Sequence, residues 1–168
     1  MRKTLLLFTT MAVALVLGAG MAWAAPGPPT VVSTVPPNGA TGVDPNANIK
    51  AKFSEAMMER SINTTTFYLL PGHFTAEQLN SGCPDPGPGG FVVAACPAAT
   101  TATVRYNADT KTAVLNPTAP LASNSEYTAV VEGTGDGDMK AVKDRGGTPM
   151  ASDYIFYFTT SGGNPTPF

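Results

Sequence analysis

The chain has 168 residues, 13% of them charged, with 17 glycines and 16 prolines. That length suits one domain, and the low charge with much Gly, Pro, Thr and Ala favours an extracellular type of β-protein over a helical one. The formal net charge is −2, and the basic residues are scattered along the sequence, which gives no footprint for nucleic acid.

Residues 1–24 read as a secretory signal peptide. Arg2 and Lys3 make a basic start, Leu5 to Leu17 is an apolar run broken by two threonines, and Ala22-Trp23-Ala24 supplies the small-x-small cleavage pattern. The apolar run alone also allows a membrane anchor, but Pro and Gly follow the cleavage pattern at once and favour removal. Cutting after Ala24 keeps Pro26 away from the new terminus. No cysteine lies near the cut, so a lipid-modified terminus is not expected. The mature chain would have 144 residues, eight basic and twelve acidic, for a net charge of −4. No second long apolar segment follows, so the expectation is an exported protein without a membrane span after cleavage. It would be periplasmic, on the cell surface or extracellular.

From Thr30 onward, short β-favouring runs alternate with Gly/Pro/Asn/Asp clusters. Residues 30–35 are β-branched and stop at Pro36-Pro37, and 37–48 is dense in turn residues. Residues 49–53, "IKAKF", alternate apolar and basic, as a strand with one wet face does. "SEAMMERSI" (54–62) offers a short helical turn. Strands are expected at 65–70, 101–106, 111–117, 126–133 and 153–160, with 101–106 and 111–117 forming a hairpin around Asn107-Ala108-Asp109. About seven short strands with frequent turns imply an antiparallel β-sandwich. Residues 72–100 break the rhythm and read as a surface insertion; without them 115 residues remain, close to the ~100 of an Ig-like sandwich. Phe74 and Phe91 in the insertion either cover the sandwich or face a partner. Residues 161–168, "SGGNPTPF", read as a flexible tail.

Both cysteines, Cys83 and Cys96, lie in the insertion. In an exported protein a disulfide is the default for such a pair. It would close a loop of about 14 residues, contributing on the order of 3 kcal/mol through chain entropy. A two-cysteine metal site needs further ligands, and the single histidine, His73, does not sit at a zinc-finger spacing.

Four stretches in order resemble a known family. These are "PTVVSTVPPNGATGVDPNANI" (29–49), "KFSEAM" (52–57), "LNPTAPLASNSEYTAVV" (115–131) and "VKDRGGTPMASDYIFYFTT" (142–160). Together they resemble the bacterial Ig-like domain of S-layer and other surface proteins, the SbsA type, over about 29–160 without the insertion. The resemblance implies an all-β, Greek-key, Ig-like sandwich spanning 25–160. It departs in the insertion, in the extra "GTGDGDM" (133–139), and in Gly147, where the family usually has Asn. Phe53, Phe156 and Phe158 are expected in the core, Met57 in an irregular gap beneath it, and Tyr127 as a buried ring whose hydroxyl reaches backbone at a strand corner.

Candidate chemistry is sparse. A hydrolytic nucleophile needs a positioned base, and His73 stands beside Pro71 and Gly72 without an evident partner. Glu55, Glu59, Glu132 and Asp153 could supply a carboxylate pair, yet no local motif selects two of them, so no catalytic residue and no enzyme activity is expected. A soft copper site needs several converging thioethers or imidazoles; Met57, Met58, Met139 and Met150 are available, but Met57 is better explained as core. Calcium is the stronger metal candidate. Asp136 and Asp138 form Asp-x-Asp between glycines, with Asp144 and Glu132 as further oxygen donors. The EF-hand pattern fails because Gly147 occupies its twelfth position. Asp and Gly are also the ordinary residues of a solvated hairpin tip, and Asp144 fits the family's turn without a metal. The sequon Asn63-Thr64-Thr65 is a chance match in a bacterial protein. The resulting expectation is a secreted, non-enzymatic structural or protein-interaction module. Its partner would be a cell-envelope or extracellular protein or polysaccharide. Calcium or glycan binding is the alternative, with a small hydrolase or a copper carrier behind it. The one tryptophan lies in the signal peptide, which argues against glycan stacking.

Overall fold

A computed structural model describes residues 27–80, 98–134 and 140–162. The signal peptide, Cys83 and Cys96, Phe91, the Asp136/Asp138 pair with Met139, and the end of the C-terminal tail therefore lie outside the described residues. Eight strands are present among those described: β1 (Val31–Val35), β2 (Ala40–Val43), β3 (Ile49–Phe53), β4 (Phe67–Pro71), β5 (Ala102–Asn107), β6 (Thr112–Pro117), β7 (Glu126–Val131) and β8 (Tyr154–Thr160). They form two four-stranded sheets, β1-β3-β6-β5 and β2-β8-β7-β4. This is the arrangement of an Ig-like sandwich, in which the first strand divides between the sheets.

The division is made at Pro36-Pro37. β1 pairs antiparallel with β3, whereas β2 pairs parallel with β8 through Ala40↔Phe158 and Val43↔Thr160. Proline lacks the N–H that a strand needs to continue its ladder, so the pair lets the chain leave one sheet before joining the other. Segment 37–48, expected to be turns, thus contains an additional strand, and the sandwich is not wholly antiparallel. The short strand carries Gly42 at φ +68 and has no alternating pattern, so its pairing is set by β8 rather than by local propensity.

The alternating strands behave as their patterns require. Ile49, Ala51 and Phe53 point inward and are buried, while Lys50 and Lys52 are exposed. Ala113 and Leu115 of β6 face the same core. From the second sheet come Phe67, Leu69, Tyr127, Ala129, Val131, Phe156 and Phe158. Each fully buried large apolar side chain contributes on the order of 1.5–3 kcal/mol, and the four buried phenylalanines lock the sheets face to face. The expected short helix over 54–62 is reduced to one 3₁₀ turn at Glu59–Ser61. A short helix, α1 (Ala76–Asn80), lies in the insertion, where none was expected. Its start carries an N-terminal capping box: the Thr75 hydroxyl accepts from the Gln78 N–H at 3.3 Å and the Gln78 side chain accepts from the Thr75 N–H at 2.9 Å.

The Tyr127 ring is 6% exposed and stacks on Phe158 at 5.9 Å. Its hydroxyl accepts a hydrogen bond from the Ala122 N–H at 2.9 Å. This is the tyrosine corner of the Ig-like fold, tying the β6–β7 crossover to the body of the second sheet. Tyr127→Phe keeps the ring and strands the Ala122 N–H, so it should cost about 1–2 kcal/mol. Urea unfolding monitored by circular dichroism checks this: a lower midpoint with an unchanged native spectrum is expected, and an unchanged midpoint would contradict the corner's role.

Candidate functional site

The strand registers define two ends of the sandwich. At one end Phe67 stands opposite Val131, and at the other Pro71 stands opposite Tyr127. The β3–β4 connection (54–66) and the β7–β8 connection (132–153) leave from the first end. In an Ig variable domain the corresponding loops form part of the antigen-binding surface. The insertion leaves from the second end.

At the first end the two connections bind each other. The Met58 N–H donates to the Lys143 carbonyl at 2.8 Å, and the Arg145 N–H donates to the Ala56 carbonyl at 3.2 Å. An isolated bridge joins Met57 to Asp144. The Ser61 hydroxyl donates to the Met58 carbonyl at 2.7 Å and accepts from the Lys143 N–H at 3.0 Å. Next to it, Asn63 shapes its own turn: its side-chain oxygen accepts from the Thr65 N–H at 2.9 Å and the Thr65 hydroxyl at 2.7 Å. The sequon asparagine thus has a structural task. Between the two connections lies an open groove of about 530 Å³ lined by Arg60, Lys140 and Lys143 together with Ser61, Asn63 and Thr65.

The acidic candidates among the described residues do not converge into a metal-binding group. Asp144 is 7% exposed. Its carboxylate accepts from the Thr148 N–H at 2.7 Å, its carbonyl accepts from the Gly147 N–H at 3.1 Å, and its own N–H donates to the Thr148 carbonyl at 2.8 Å. Gly147 completes this turn at φ +90, a left-handed conformation that favours glycine over the family's usual Asn. Glu132 accepts from the Tyr68 hydroxyl at 2.5 Å, and Asp153 accepts from the Gly133 N–H at 2.7 Å. A Cβ on Gly133 would lie 2.2 Å from the Ser152 carbonyl carbon, so close backbone approach demands glycine there. Glu59 is exposed beside Arg60, and Glu55 is partly exposed on the loop before it. Among the described residues no group of three or more His, Cys, Asp or Glu side chains is placed to hold a metal ion. Asp136 and Asp138 lie outside those residues.

Two of the four candidate thioethers are occupied by packing, while Met58 is partly exposed at the groove. Met57 and Met150 are 2% and 3% exposed within the main core. The Met57 N–H donates to the Tyr106 hydroxyl at 2.8 Å, which fixes the motif's methionine under the sheet.

At the second end, the start of the insertion folds back over the outer face of the second sheet. The His73 ring stacks on Tyr157 at 4.0 Å, and its Nδ1 lies 3.8 Å from Glu126. The histidine that lacked a partner in the sequence therefore has two. The Phe74 N–H donates to the Thr128 hydroxyl at 2.9 Å, and that hydroxyl donates to the Gly72 carbonyl at 2.8 Å. Beneath this segment, β7 is buried on both faces, including Thr128 and Val130. One sign of this is legible in the residues themselves: "YTAVV" in β7 lacks the polar alternation of a strand with a wet face.

With this geometry in place, comparison with known proteins decides the family. Residues 25–160 match the family model described as the bacterial Ig-like domain. The chain belongs to the bacterial Ig-like domain family. This family is generally non-enzymatic. Among curated proteins, none matches the chain in sequence. Among solved structures the domain is similar to PcoC, a methionine-rich copper resistance protein from Escherichia coli. There the TM-score is 0.52 with 18% identity, covering 80% of this chain and 100% of that one. It is similar to CopC from Methylosinus trichosporium OB3b, at a TM-score of 0.52 with 11% identity, covering 83% of this chain and 99% of that one. The S-layer protein SbsC matches at a TM-score of 0.48 with 15% identity, covering 80% of this chain and 14% of that one. At these identities PcoC and CopC share the fold alone with this Ig-like domain. No helix among its described residues is long and apolar enough to cross a membrane.

Replacing Asp144 by Ala removes the acceptor of its turn and should cost about 1–2 kcal/mol. Thermal melts with and without calcium chloride check the role: the deficit should persist unchanged in calcium. Stabilisation of the parent protein by calcium that is lost in Asp144→Ala would place the residue in a metal site instead.

Proposed function

We propose that this protein is an exported, non-enzymatic Ig-like module of the cell surface or periplasm, a surface-protein domain of the SbsA kind. It holds residues 72–100 as its contact surface for an envelope or extracellular protein. The supporting observation is the anchoring of the insertion's first residues. Gly72, His73 and Phe74 are fixed to Thr128 and Tyr157 on the outside of a rigid sheet, which presents the polypeptide beyond them from a preorganised base. A Cys83–Cys96 disulfide closes the remainder of that segment. Cleavage after Ala24 releases the module from its signal peptide.

The copper-resistance role in the name of PcoC is not carried over. Met57 and Met150 are packed in the core, and the His73 ring is stacked on Tyr157.

Two measurements test the reading. The intact mass of the exported protein should correspond to a chain starting at Ala25 and lacking two hydrogens for the disulfide. Deleting 76–98 while keeping the Gly72–Thr75 anchor should leave the sandwich folded and abolish cross-linking to its envelope partner. An unprocessed chain, or a cross-linking pattern unaffected by the deletion, would refute the proposal.

A further inference from the structure

Eight basic residues follow position 24, and the fold gathers them into two groups that the sequence does not reveal. Lys50, Lys52 and Arg105 stand on the outer face of the first sheet, with Lys111 at the β5–β6 turn. Arg60, Lys140, Lys143 and Arg145 belong to the two connections that dock at the first end. Three of these four line the groove, and no carboxylate lines it among the described residues. Asp144, next to Lys143 in the second connection, is buried in its own turn.

The walls of this groove are fixed. Ser61 is engaged by Met58 and Lys143 backbone, Asn63 by Thr65, and the Thr66 hydroxyl donates to the Ser61 carbonyl at 2.7 Å. Its polar neutral groups are thus spent on shape, whereas the charged heads of Arg60 and Lys143 make no ion pair with any described residue. Cations held at a preorganised wall attract an anion with little ordering cost. The volume of about 530 Å³ falls in the range of pockets that take a small ligand or a few units of a polymer. No aromatic ring lines it among the described residues, so they offer no platform for sugar-ring stacking, and charge with hydrogen bonding supplies the contact.

We infer that the groove between the β3–β4 and β7–β8 connections binds an anionic polysaccharide, with Arg60 and Lys143 as the residues that meet its carboxylate, sulfate or phosphate groups. The inference rests on the exported, surface-facing placement proposed above, but it uses the end of the sandwich opposite the insertion. It also accounts for a cationic site in a mature chain of net charge −4, where binding by overall charge is disfavoured.

Polygalacturonate is the probe, with neutral dextran and inorganic phosphate as controls. In affinity electrophoresis and calorimetry the full exported protein should bind polygalacturonate and not dextran. Binding should weaken as salt is raised, because exposed charges are screened. R60Q/K143Q should weaken it by about tenfold or more, whereas K50Q/K52Q removes the same charge from the sheet face and should change it less than about twofold. Circular dichroism must show both variants folded. Equal loss in the two variants would mean binding by general charge and overturn the site. Absence of polygalacturonate binding would overturn the proposal outright, and inorganic phosphate binding as tightly as the polymer would replace the polysaccharide with a free anion. The 76–98 deletion should retain polygalacturonate binding, so a failure of the insertion's role and a failure of the groove give different results.

Discussion

The hydrogen-bonded docking of the β3–β4 connection onto the β7–β8 connection is the constraint on which the geometry of the first end of this domain depends. Ser61 and Lys143 lie 82 positions apart in sequence. The Ser61 hydroxyl nevertheless satisfies backbone on both segments, and Met58, Ala56 and Asp144 extend the contact on either side. Loops that leave a sandwich singly pay a large ordering cost in any complex. Here each loop is the other's partner. The same docking accompanies the burial of Met57 and leaves Arg60, Lys140 and Lys143 around one groove.

This constraint also assigns structural tasks to residues whose types suit chemistry. Asp144, Glu132 and Asp153 each accept a hydrogen bond from a backbone N–H or a tyrosine hydroxyl at a loop or strand end. A carboxylate accepting such bonds helps to fix a turn. Met57 and Met150 fill core space, and Tyr106 and Tyr127 direct their hydroxyls to backbone N–H groups of the connections. Polar and soft side chains thus serve the geometry of connections that cannot form regular ladders. The two ends of the sandwich are left with different surfaces: a cationic groove at one, and an anchored insertion at the other.

Most of the strand framework was legible in the sequence, because period-two alternation in 49–53, 101–106 and 153–160 reports directly which residues face the core. The tyrosine corner and the buried Phe-Ser-Glu-x-Met methionine were legible through family resemblance. β2 was not, since a four-residue strand containing glycine takes its pairing from β8, far along the chain. The partner of His73 was hidden for a similar reason. Tyr157 and Glu126 reach it only once the insertion folds back over β7 and β8. The clustering of basic residues was invisible in one dimension, because Arg60 and Lys143 line one groove only through the long-range contacts that join the two connections. Gly147 is the turn former that the local composition suggests, but Gly133 is needed because Ser152 backbone occupies the place of a side chain.

The docking of the two connections as one unit is tested most directly by a double-mutant cycle between Ser61→Ala and Asp144→Ala, read by urea unfolding. Removing either residue loosens the shared interface, so the second substitution should find part of its cost already spent. A coupling of at least about 0.5 kcal/mol is predicted. Costs that add to within about 0.3 kcal/mol would mean that the two connections are stabilised independently, and would contradict the account.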